Sequence, residues 1–116
     1  MRLPKYEQAI IPERKITAYL LALHHRDGQS KAVFFMRFGF TLEHWPALAM
    51  ALKRHAADHE VVATELTAFG TSYVVEGSLP APDGRTPNIR VVWFVAAGED
   101  IPVLATAYPL KGSRGD

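Results

Sequence analysis

His25 and Lys31 stand close together in HHRDGQSKAVFF, the stretch from His24 to Phe35. A histidine titrates near neutral pH and suits general acid or base work. A lysine in the first turn of a helix lies beside backbone N–H groups pointing out of the helix end, so the two together define a place for a phosphate. A plainer role is available to both. Histidines at a helix C-terminus meet the negative end of its dipole, and a lysine can simply be solvated. A cation at a helix N-terminus is electrostatically unfavourable, however, so the plainer role leaves Lys31 unexplained.

The other candidates come late in the chain. In PVLATAY, period-two alternation sends Val103, Ala105 and Ala107 toward a helix-packed face and Leu104, Thr106 and Tyr108 the other way. In NIRVVWFVAA, Arg90, Val92 and Phe94 share one face. Thr106 and Tyr108 thus offer hydroxyls and Arg90 a fixed charge, although Thr and Tyr are also good strand residues in their own right. His55 and His59 in HAADH have the i, i+4 spacing of a metal pair. Ala56 occupies the place of the zinc-protease glutamate, no third ligand is evident, and histidines near a helix C-terminus are favourable anyway. No metal and no cofactor is expected. The absence of cysteine excludes thiolate catalysis, disulfides and Cys-ligated zinc.

These groups need a scaffold, and 116 residues with 48% apolar and 22% charged composition suit one domain, 1–116, with its own core. Residues 1–10 read as an N-terminal segment and 111–116 as a loose tail. The net charge of +1 points to no partner by itself, so any polyanion must be met by local clustering of Lys and Arg. No apolar run is long enough to span a bilayer, and the opening MRLPKYEQAII lacks a signal-peptide core. A cytoplasmic protein with no membrane partner is expected.

Helices come first. Pro12 and ERK open one over 13–23, with Ile16, Tyr19, Leu20 and Leu23 as its apolar stripe. Ser30 is the expected N-cap of a second over 31–38, ended by Gly39. Thr41 caps a third over 42–58, with Phe40 and Trp45 at staple spacing and Trp45, Leu48, Ala49, Leu52 and Ala56 as the buried stripe. From Glu60 the period changes to two. EVVATELTAF, TSYVVEGSL, NIRVVWFVAA and PVLATAY read as strands, and the whole as an α+β fold, N-terminal helices packed on a four-stranded antiparallel β-meander.

IIPERKITAYLL, SKAVFF, PDGR, VVWF and TAYPL, in that order from Leu3 to Leu110, resemble a small bacterial family of uncharacterised domains. More distantly, helices followed by a meander resemble the barnase/EndoU/colicin D/RelE class of metal-independent ribonuclease toxins. That resemblance implies an endoribonuclease that cleaves RNA through its own 2′-OH. His25 would be the general acid or base, Lys31 and Arg90 would stabilise charge on the phosphate, and Thr106 and Tyr108 would be the hydroxyls late in the sheet. RNA and a small cognate antitoxin or immunity protein are the implied partners. Arg26 departs from the resemblance, standing where relatives often have Pro. The rival readings are a non-enzymatic protein-binding module of a bacterial operon and a structural or antitoxin-like role.

Overall fold

The computed structural model describes residues 1–110, so the tail expected at 111–116 lies outside the described residues. A 3₁₀ turn (Tyr6–Gln8) precedes α1 (Glu13–Lys15), which runs directly into a π-helical stretch (Ile16–Leu20). Then come α2 (Gln29–Arg37), α3 (Trp45–Asp58) and strands β1 (Val61–Thr67), β2 (Gly70–Ser78), β3 (Asn88–Ala96) and β4 (Val103–Pro109). The four strands form one antiparallel sheet in the order β1-β2-β3-β4. The α+β expectation holds.

The first helix is shorter than 13–23 and of another kind. Leu21 N–H donates to the Ile16 carbonyl, five residues back, at 2.8 Å. A π turn is wider than an α turn and brings residues five apart onto one face. Ile16, Leu20 and Leu21 are all buried, whereas Leu23, expected on the apolar stripe, is exposed. Apolar burial thus sets the turn type.

Helix α2 begins at Gln29 with no side-chain cap, so Ser30 does not fill the expected role. Its end does match expectation. Gly39 has φ 103°, its N–H donates to Met36 and that of Phe40 to Phe35, which is a Schellman closure. Helix α3 starts at Trp45 rather than 42, because the Thr41 hydroxyl accepts from His44 N–H and closes a turn ahead of the helix.

The core lies between the helices and one sheet face. Leu20, Phe35, Leu48, Leu52, Val91 and Trp93 are fully buried as expected, and Trp45 is half-buried. The strict alternation expected of β4 fails. Val92 pairs with Thr106 but Trp93 pairs with Leu104, so Ala105 is a bulge. The extra residue shifts the phase, and Leu104 joins Ala107 in the core instead of sharing a face with Thr106. The N-terminal segment is built into the fold: Leu3 and Ala9 are buried, and Ile10 makes a parallel bridge to Val103.

Candidate functional site

The structure organises the early candidates around a residue that the sequence marked only as part of an apolar stripe. Tyr19 belongs to the π-helical stretch, and its hydroxyl lies 3.0 Å from Thr106 Oγ1 on edge strand β4. The His25 ring meets the Tyr19 ring edge to face, with centroids 5.1 Å apart. Lys15 and Lys31 each place Nζ 5.4 Å from the Tyr19 ring centroid, a cation–π distance. An open cavity of about 560 Å³ adjoins this group, lined by Pro12, Arg14, Lys15, Ala18, Tyr19 and His25. His25, Lys31 and Thr106 are therefore brought together, with Lys15 and Arg14 added.

Local backbone chemistry fixes this arrangement. His25 Nδ1 accepts the N–H groups of Asp27 and Gly28, each at 3.0 Å. The ring, not Ser30, serves the donors ahead of α2. A nitrogen that accepts two hydrogen bonds carries no proton, so the neutral ring holds its proton on Nε2. His25 accordingly presents an N–H donor on the side away from the backbone. Gly28 permits the close approach, since a Cβ there would run into the Tyr19 carbonyl oxygen. Lys31 Nζ donates to the Asp27 carbonyl at 3.2 Å, reaching back across the start of α2.

Arg14, Lys15 and Lys31 form no ion pair among the described residues, in contrast to Lys5 with Asp100, Arg54 with Asp58 and Arg85 with Asp83. Arg14 and Lys15 line the cavity and Lys31 lies against the Tyr19 ring, so positive charge collects there with no ion-pair partner among the described residues. An anion entering there meets uncompensated cations and the His25 donor.

Arg90 is placed differently. Its Nε donates to Glu76 Oε2 at 2.6 Å, on the neighbouring strand, and its guanidinium lies 5.8 Å from the Tyr108 ring centroid on the other side. Glu76, Arg90 and Tyr108 make one cross-strand row, since Glu76 pairs with Arg90 and Arg90 with Tyr108. The adjoining row on the same face is Val74, Val92 and Thr106. Arg90 and Tyr108 are thus one row along from Thr106, away from the contacts around Tyr19. Glu76 could not be nominated from sequence, because strand register pairs it with Arg90.

His55 and His59 are turned to the backbone. Their Nε2 atoms lie 3.1 Å from the Gly77 carbonyl and 2.9 Å from the Ser78 carbonyl, so both rings donate and fasten α3 to β2. Gly77 leaves room for the His59 ring, into which a Cβ would project. Burial is the main reason the His55 pKa falls from 6.5 to about 4, with the nearby His59 charge adding to it. No group of three or more His, Cys, Asp or Glu side chains suited to a metal occurs among the described residues.

The fold and this cavity define an α+β domain with helices on one sheet face and a cationic recess at the β4 edge. The chain belongs to the family described as Domain of unknown function (DUF6883), whose model matches residues 2–111. Among solved structures it is similar to a chain of a contact-dependent growth inhibition toxin–immunity protein complex from Klebsiella pneumoniae 342. The TM-score is 0.71 at 16% identity, over 92% of this chain and 97% of that one. At that identity the likeness is one of fold. Among curated proteins, no sequence matches. No described helix is long and apolar enough to cross a membrane.

Proposed function

We propose that this domain is the effector of a toxin–immunity or toxin–antitoxin pair, a metal-independent endoribonuclease that holds an RNA phosphate in the Tyr19 cavity. The observation that carries this reading is the convergence of His25, Lys15, Lys31 and Thr106, from three separate parts of the chain, on Tyr19, which with His25 and Lys15 lines the cavity. The fold shared with a chain of a toxin–immunity complex fits membership of such a pair, as toxin or as immunity protein.

Cleavage through the 2′-OH needs cations against the negative charge that grows on the phosphate oxygens, and donors placed to meet it. Lys15 and Lys31 supply the charge and His25 Nε2–H a donor. Thr106 and Tyr19 supply hydroxyls that orient the phosphate. For His25 to transfer a proton as an acid, Nδ1 must also be protonated, which breaks its bonds to Asp27 and Gly28. Whether His25 takes the 2′-OH proton at Nδ1 as the 2′-O–P bond forms, or as imidazolium gives one to the leaving 5′-oxygen as the P–O5′ bond breaks, Nδ1 must leave Asp27 and Gly28. Its proton transfer is therefore coupled to opening of the turn before α2.

The hydrogen bonds that His25 makes to the turn before α2 also favour a second reading, a binding module that docks an anionic partner surface in the same recess without chemistry. Incubating the purified domain with RNA in EDTA separates the two. Cleavage leaving 2′,3′-cyclic phosphate ends, lost in a Lys15→Ala, Lys31→Ala double variant, supports the nuclease. Binding without cleavage supports the module.

A further inference from the structure

Arg90 was expected at the phosphate, yet it is already neutralised by Glu76 and lies one row beyond Thr106. A cation tied to a carboxylate has little left to offer a phosphate. What the row does offer is a half-exposed aromatic ring beside a planar guanidinium whose orientation Glu76 fixes. Flat π surfaces of this kind bind nucleobases by stacking, and they do so without regard to backbone charge.

We propose that Tyr108 and Arg90 form a stacking subsite for one unpaired nucleobase, on the open face of the sheet, next to the phosphate held in the Tyr19 cavity. This rests on the reading of that cavity as a phosphate site. Thr106 joins the two parts: its hydroxyl meets Tyr19, and Tyr108 lies two residues on along the same face of the same strand. Adjacent rows on one strand face are about 7 Å apart, which is close to the reach from a phosphate to its own base. A base inside a duplex shows only its edges in the grooves, so its face reaches Tyr108 only when it is unpaired. The ligand class is single-stranded RNA, or a loop or splayed end of a folded RNA. Glu76 is a positioning residue here, because it holds the guanidinium plane and touches no ligand in this arrangement.

The test uses the whole protein and a fluorescent single-stranded oligonucleotide, 2′-O-methylated so that it cannot be cut, with binding read by anisotropy at low salt. An abasic oligonucleotide of equal charge and a duplex are the comparisons. The expected result is that the base-bearing strand binds more tightly than the abasic strand and more tightly than the duplex. Tyr108→Ala should weaken the base-bearing strand roughly five- to hundredfold and leave the abasic strand unchanged, while Tyr108→Phe stays near wild type. Glu76→Gln frees the Arg90 charge, so it should tighten both strands while narrowing the advantage of the base-bearing strand over the abasic one. If abasic and base-bearing strands bind the wild type equally, the subsite is overturned while the phosphate cavity stands. If no oligonucleotide binds at all, the nucleic-acid reading of the cavity falls and the subsite with it.

Discussion

The Tyr19 hydroxyl and Thr106 Oγ1, 87 residues apart in the chain, lie 3.0 Å from each other and join the first helical segment to the last strand. Removing the hydroxyl alone separates its role from that of the ring. Tyr19→Phe keeps the surface against His25, Lys15 and Lys31 but leaves Thr106 without its partner. The expected stability loss is about 0.5–1.5 kcal/mol in denaturant melts, with a similar loss for Thr106→Val. The double variant should lose less than the sum, because both single changes break one contact.

His25→Ala removes the acceptor for two backbone N–H groups. It should cost about 1–2 kcal/mol, the range of one or two lost backbone hydrogen bonds, and lower the melting temperature by several degrees. His25→Asn, with a short side-chain acceptor, should recover part of this. Loss of activity in the alanine variant therefore has to be read beside its melting curve, and an unchanged curve would show that these two hydrogen bonds do not matter.

Acid should weaken the fold through His55. Its pKa is about 4 in the native state against 6.5 as the ordinary value, so the unfolded chain binds that proton more strongly. This contribution is complete above pH 6.5 and is lost as pH falls toward 4, amounting to about 3 kcal/mol. Nδ1, where the added proton would go, is buried with no hydrogen-bond partner among the described residues. Chemical denaturation between pH 7 and 4 should show the slope, and His55→Gln should flatten it.

Leu52→Ala deletes a fully buried side chain of α3 and should cost about 2–5 kcal/mol. Gly77→Ala should also destabilise, because the new methyl meets the His59 ring and forces α3 away from β2. An unchanged melt for Gly77→Ala would show that the His59 ring can move aside freely.

Periodicity made the main elements legible. The switch near Glu60 marked the sheet, and Gly39 marked the end of α2. What it missed lies in hydrogen-bond geometry and register. The letters of PVLATAY alternate whether or not Ala105 bulges, so the displacement of Leu104 into the core left no trace in the sequence. Tyr19 fitted an ordinary α stripe, and only the wider turn made it the centre of the cavity. His25 and Lys31 were found from their types, but the role of His25 in holding the turn before α2 depends on where the Asp27 and Gly28 N–H groups point. Arg90 was recognisable as a fixed charge, whereas its neutralisation by Glu76 required the pairing of β2 with β3.

The π-helical stretch has a consequence for how the chain tolerates length changes. A π turn carries one residue more than an α turn spanning the same hydrogen-bonded loop. Deleting Ala18 would let the segment relax to α geometry, and Ile16 and Leu21, five apart in the π turn, would come to the four-residue spacing that still keeps them on one face. The buried face of the segment would survive, and what is lost is Ala18 from the wall of the Tyr19 cavity. The wider turn is therefore the place where this segment can lose a codon and keep its packing against the core.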